Sequence, residues 1–170
     1  MEGMRMKCKT KVILFVSIVA IIVGGVLLLP LPKRISVMMP AINWKSGGYY
    51  GQTMVSWKGW YFEYLVKRDR IEGNFTLNAG TKKEIVLSIE KDILWDKHED
   101  AEPMSRIWWN RGYDGEEFPD LHIYFNQSFD RIIVEDEKLG IFVAPASGEW
   151  ELNEVIGYFQ DCGYRFDWYQ

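Results

Sequence analysis

Two histidines, two cysteines and 24 acidic side chains set the chemistry open to this 170-residue chain. Nucleophilic catalysis by Ser or Cys needs a base within hydrogen-bond reach, most often His. His98 lies in the charged run Asp96-Lys97-His98-Glu99-Asp100, which reads as a solvated loop. His122 falls on the polar side of a strand pattern beside Tyr124, and no Gly-x-Ser-x-Gly turn exists to present a serine. Asp96, His98, Glu99, Asp100 and Glu102 together offer oxygen and nitrogen donors to a divalent ion. Asn110-x-Gly112-x-Asp114-Gly115 carries the central Asp-Gly of a calcium loop. That loop also needs a bidentate Glu at its twelfth position, and Leu121 stands there. Glu116, Glu117 and Asp120 then read as a solvated acidic loop, with a loose calcium site as the alternative. Ser46-Gly47-Gly48 lacks the lysine and following helix of a phosphate-cradling loop. The reading assigns no catalytic residue, no metal ligand and no cofactor.

Aromatic side chains are the compositional anomaly: 8 Trp, 9 Tyr and 9 Phe, all but Phe15 lying beyond residue 34. Most must be core, because each buries a large apolar area. The adjacent pair Trp108-Trp109 on a strand would point its rings to opposite faces, leaving one ring for solvent or a contact. Trp57, Trp60 and Tyr61 join that pair as the expected binding surface, since exposed aromatics serve protein interfaces and stack on sugars.

The elements that position these residues begin with an anchor. Val12 to Leu29 is an uncharged run of eighteen positions, fourteen of them Ile, Leu, Val or Phe. As a helix it would extend roughly 27 Å, close to the thickness of a bilayer's hydrocarbon core. Arg5, Lys7, Lys9 and Lys11 precede it, against Lys33 and Arg34 after it, so the positive-inside bias keeps the N-terminus cytoplasmic. No small-x-small cleavage site follows in LPLPKRISVMMP, which favours an uncleaved signal-anchor over a removed signal peptide. The first 34 residues carry six basic side chains and Glu2, net +5; the remainder carries 14 basic and 23 acidic ones, net −9. An exported part this acidic is a poor partner for nucleic acid. Cys8 and Cys162 fall on opposite sides of the anchor and cannot pair within one molecule.

The expected organisation is a basic cytoplasmic tail (1–11), a transmembrane helix (12–31), a Pro-containing stalk (32–45) and an extracytoplasmic domain (46–170). Period-two alternation predicts strands around Thr53–Trp57, Phe75–Leu77, Ile85–Ile89, Arg106–Trp109, Leu121–Asn126, Ile132–Val134 and Gly140–Ala144. Gly59–Val66 fits a strand or a helical turn, with the strand preferred. Leu152, Val155, Ile156 and Phe159 form one apolar stripe of a helix, with Ser147 as cap and Gly163 as terminator. The fold class is α+β, mainly β: an antiparallel sheet with a C-terminal helix packed on one face, preceded by the transmembrane helix. Apolar residues at 48% and charged residues at 26% exclude wholesale disorder.

The run Gly59-Trp60-Tyr61-Phe62-Glu63-Tyr64-Leu65-Val66-Lys67-Arg68-Asp69-Arg70-Ile71-Glu72-Gly73 resembles a segment of small, membrane-anchored proteins of Gram-positive bacteria. Phe129-Asp130-Arg131-Ile132-Ile133-Val134, followed by Val143-Ala144-Pro145-Ala146 and a helix, is similar to their C-terminal half. The resemblance implies a bacterial source and a single-pass topology, and no activity. The functional expectation is a non-enzymatic, membrane-tethered domain that binds an envelope or secreted protein. The alternatives are a wall-glycan binding module that uses Trp or Tyr, and a metal-assisted hydrolase built on the Asp96–Glu102 cluster.

Overall fold

The computed structural model describes residues 2–45, 49–96, 102–109, 121–136 and 139–166, without the side chains of residues 2–10, 26, 45, 49–50 and 109. Helix α1 (Glu2–Leu28) is followed by strands β1 (Leu31–Lys45), β2 (Tyr49–Glu63), β3 (Asp69–Leu77) and β4 (Ile85–Ile93). Then come β5 (Met104–Trp109), β6 (Leu121–Asn126), β7 (Ile132–Asp136), β8 (Gly140–Ala144) and helix α2 (Glu149–Asp161). The fold is thus mainly β, an antiparallel sheet with a C-terminal helix. All eight strands join one sheet in the order β4-β3-β2-β1-β8-β7-β6-β5, an up-and-down path broken only between β4 and β5.

The expected stalk is a strand. Residues 31–45 pair along their whole length with β2, from Leu31 opposite Glu63 to Lys45 opposite Tyr49. Proline normally argues against such a central strand, because it lacks a ladder donor. Here the carbonyl of Pro40 accepts from Ala146 N on the β8 side, so the missing N–H of Pro40 also points to that side. The β8 ladder covers only Ile42 to Trp44. Pro40, and Pro32 in the same phase, therefore face a stretch where no ladder donor is called for. Gly59–Val66 resolves as strand up to Glu63, followed by a turn.

The sheet curls until its inner face packs on itself. Rings of Trp57 on β2 and Phe125 on β6 lie 5.0 Å apart, edge to face. Four strand steps separate them in the sheet order, which in a flat sheet would place them about 19 Å apart. Odd-numbered residues of β1 and β2 (Ile35, Met39, Val55, Trp57, Tyr61) point inward to meet Phe75, Leu87, Ile107, Ile123, Phe125 and Val134 in one buried cluster. Backbone bending is supplied where Gly59 faces Gly73. A Cβ on Gly59 would stand 2.0 Å from the carbonyl oxygen of Glu72, and Gly73 has φ +150°, so both positions require glycine.

Two groups close the end of the barrel nearest α1. Phe129, in the β6–β7 turn, adopts φ 58°, uncommon for a bulky residue. Its ring stacks on Phe125 at 5.4 Å and meets Trp57 edge-on at 5.4 Å. Buried Asn126 holds that turn by accepting from Asp130 N (3.1 Å) and Arg131 N (3.0 Å) on Oδ1. Asp69 is the second group: Tyr61 Oη (2.5 Å) and Trp95 Nε1 (2.7 Å) donate to Oδ2, and Tyr64 N (2.8 Å) donates to Oδ1. Beyond β4, Asp96 and Met104 exchange both backbone hydrogen bonds and bridge toward β5.

On the outer face, Leu152, Val155, Ile156 and Phe159 of α2 pack against Ile42, Tyr124, Ile133 and Val143. The expected stripe is therefore the buried one. The N-cap is Gly148 rather than Ser147. Ser147 N (2.6 Å) and Oγ (2.5 Å) donate instead to Glu151, a side chain reaching back over the first turn. Cys162 is buried beside α2, and burial raises its thiol above the ordinary range, so it packs as a small apolar side chain.

Among the described residues no helix is long and apolar enough to cross a membrane. The described side chains of α1, from Val12 to Leu28, are nonetheless largely exposed and apolar, including Ile13, Phe15, Ile18 and Ile22.

Two predictions concern the barrel. Trp57 Nε1 has no hydrogen-bond partner, so Trp57 contributes through ring packing alone. Trp57→Ala should cost about 3–5 kcal/mol in chemical unfolding and Trp57→Phe clearly less, by the usual large-to-small penalties. Burial, and then the hydrogen bond to Asp69, push Tyr61 from 10 up to about 12. Burial and Glu135 raise Tyr124 likewise to about 12. Both favour the neutral phenol in the fold, so their stabilising effect is complete below pH 10 and lost as pH climbs from 10 toward 12. A tyrosinate absorbance titration should show late-titrating phenols and a melting temperature that falls across that window.

Candidate functional site

Interior packing changes character toward the end of the barrel opposite α1. Where β2 carries Trp57 and Tyr61 inward lower down, it carries Thr53 and Gly51 near this mouth. Asn43 on β1 stands opposite Gly51 on one side and Phe142 of β8 on the other. Gly51 has no side chain to fill the space beside Asn43. A pocket of about 450 Å³ results, floored by Ile85, Leu139 and Phe142 and walled by Asn43, Gln52, Thr53, Asn78, Thr81, Lys82 and Lys83. Barrel mouths are a recurrent place for ligand sites.

The β3–β4 turn builds the wall. Thr53 Oγ1 donates to Asn78 Oδ1 at 2.9 Å, fixing the turn to β2. Asn78 has φ 53° and Gly80 φ 76°, and Ala79 N donates to Met54 O at 2.9 Å. Thr81 Oγ1 donates to Asn78 O at 2.8 Å, and Gly80 N to Glu84 Oε2 at 2.7 Å. Glu84 is thereby turned to the backbone, and Lys82 and Lys83 are the charged residues of the pocket lining among the described residues. Asn43, also in the lining, has its Oδ1 buried with no hydrogen-bond partner. An unpaired buried acceptor costs free energy, and because this oxygen is closed to water-sized groups a ligand donor would meet it only once the Asn43 amide turns toward the pocket. The site therefore pairs two cations with one hydrogen-bond acceptor over an apolar floor.

The five aromatic residues expected to bind do not form one surface. Trp57 is 0% exposed and Tyr61 2% exposed, both inside the barrel, which corrects their reading as surface contacts. The pattern misled because Trp57 and Tyr61 share the inward phase of β2 while Trp60 takes the outward one. Trp60 (49% exposed) and Trp108 (52% exposed) do face out, from β2 and β5. β3 and β4 intervene between those two strands around the barrel. Trp109 ends β5, with its side chain outside the described residues.

The polar clusters have structural roles where they are described. Glu102 accepts from Ser128 N (2.6 Å) and Asn126 Nδ2 (2.8 Å), and Asp96 from Tyr164 Oη (2.8 Å). Residues 97–101, with His98, Glu99 and Asp100, and the loop 110–120 lie outside the described residues. Among the described residues no group of three His, Cys, Asp or Glu side chains converges as a metal site. His122 stacks on Tyr124 at 6.3 Å on the outer face, its Nδ1 buried without a partner.

Comparison with protein-family models, curated proteins and solved structures gives no match. The pocket rests on its own geometry. Sequence reasoning missed it because Asn43 was placed in a stalk and Lys82-Lys83 carried no signal of their own. Their convergence depends on β1 being a strand and on the sheet closing.

Asn43→Leu should stabilise the ligand-free protein by about 1 kcal/mol, because it removes a buried acceptor that nothing satisfies. Thermal or denaturant unfolding checks this. A loss of stability would mean that Asn43 serves the fold and not a ligand.

Proposed function

We propose that this chain is a non-enzymatic, membrane-tethered binding domain, with α1 as a single-pass anchor and the barrel on the outer side. Support for the anchor comes from the uncharged run Val12 to Leu29, the basic residues before it and the exposed apolar side chains along α1. The ligand would occupy the mouth pocket. It would carry an anionic group for Lys82 and Lys83 and a hydroxyl or amide donor for Asn43, the chemistry of an acidic envelope glycan. The observation that carries this reading is the buried, unpartnered Asn43 Oδ1 on a residue that lines the same pocket as two lysines, in a domain whose charge is otherwise strongly negative. An anion reaching this site meets the one part of the described pocket lining that favours it.

A second reading has its own observation. Trp108 stands half-exposed on β5, at the seam where the sheet order breaks, and such a ring suits a protein partner from the envelope or the secreted pool.

Calorimetric titration of the full chain in nanodiscs separates the two. The probes are a glycerol-phosphate oligomer, an N-acetylmuramic acid disaccharide and neutral chitobiose. Saturable binding of an anionic probe, weakened by salt and roughly tenfold weaker in Lys82→Ala/Lys83→Ala, is the expected result for two partly exposed charge contacts. No binding by either anionic probe, or equal binding by the double variant, would overturn the mouth reading and leave the Trp108 face.

A further inference from the structure

The barrel end nearest α1 carries its own pattern. Only Leu29 and Pro30 separate the end of α1 at Leu28 from the start of β1 at Leu31. From Leu28 to Leu31 the chain takes three steps and reaches at most about 11 Å. Leu31 pairs with Glu63, and Asp69 with Ile93, so the β2–β3 turn and the end of β4 lie at the same level as the start of β1. Four large apolar side chains are exposed there: Leu31, Leu65 (62%), Val66 (58%) and Leu94. Lys67 and Arg68 follow directly, both exposed, and Lys67 Nζ sits 3.8 Å from the centroid of the Tyr64 ring. Nearby acidic groups are partly engaged: Glu63 pairs with Lys33 at 2.6 Å, and Asp69 is held by Tyr61, Trp95 and Tyr64. Among the described residues Asp92, Asp96 and Asp130 are exposed carboxylates toward this end; Asp96 accepts from Tyr164 Oη, and Asp130 accepts from Asn126 Nδ2 and pairs with Arg131.

We infer that this end of the barrel docks on the bilayer that holds α1, with Leu65 and Val66 entering the headgroup layer and Lys67 and Arg68 meeting anionic lipid. The inference rests on the reading of α1 as a membrane anchor. A two-residue connector keeps the start of β1 within about 11 Å of the end of α1, a distance comparable to the interfacial layer, so this end of the barrel stays beside the headgroups. Apolar tips backed by basic side chains match the chemistry of that layer. Docking would also fix the direction of the mouth pocket, which lies at the far end of the strands and would open away from the membrane.

The test uses the full chain with Cys8→Ser in vesicles of phosphatidylcholine and phosphatidylglycerol at three to one, about that ratio serving to supply anionic headgroups. A nitrobenzoxadiazole label is placed at Leu65→Cys, Val86→Cys or Ala20→Cys, and nitroxide-bearing lipids report depth. Circular dichroism confirms that each variant is folded. The expected result is quenching at 65 at least twofold above that at 86, by nitroxides at headgroup level, with 20 quenched by nitroxides deep in the acyl chains. Quenching at 20 with 65 no more quenched than 86 would overturn the docking alone. No quenching at 20 would overturn the anchor, and the docking with it.

Discussion

The packing of Trp57 against Phe125 and Phe129 is the contact on which the rest of the structure depends. It joins β2 to the opposite wall of the sheet and converts an eight-stranded ribbon into a barrel with a filled interior. Eight strands enclose a space that side chains can fill completely or leave room for one small ligand. This chain does both. Large rings occupy the half nearest α1, and the change to Gly51, Thr53 and Asn43 leaves the pocket at the other end. Closing the sheet also sets the requirement for glycine at positions 59 and 73, since a pair of strands with side chains there could not approach so closely.

The proposed function rests on that gradient along the barrel axis. At one end apolar and basic tips surround the exit of α1. At the other a rigid turn, tied down by Thr53, Asn78 and Thr81, holds two lysines over an apolar floor. On the proposed reading, a tether and a recognition site at opposite ends of the domain would suit sampling of the space just outside a membrane. The barrel itself needs no conformational change to expose the pocket, because its walls are ladder-paired strands and a hydrogen-bonded turn.

Much of the fold was legible from residue order. Period-two alternation located Phe75–Leu77, Ile85–Ile89 and Leu121–Asn126, and the stripe Leu152, Val155, Ile156, Phe159 is the buried face of α2. β1 was hidden because Pro32 and Pro40 are strand-breaking signals unless the neighbouring ladder is known to stop short, and that is a tertiary fact. Closure was hidden for a related reason. Alternation tells which residues share a face, but not whether that face meets a helix or the far side of its own sheet. The aromatic excess is plain in composition but its distribution is not: Trp57 and Tyr61 are core, while Trp60 and Trp108 are exposed. Asn43 gave no local signal at all, since an orphaned acceptor is visible only once its surroundings are.

The measurement that bears most directly on this account is ring-to-ring contact across the barrel, by proton nuclear Overhauser spectroscopy on the full chain in nanodiscs with selectively labelled Trp and Phe. Closure predicts strong cross-peaks from the Trp57 ring to both Phe125 and Phe129, from strands four steps apart in the sheet. Intact β1–β2–β3 ladder contacts with no cross-peak from Trp57 to either phenylalanine would mean an open sheet. The mouth pocket would then not exist in the form described.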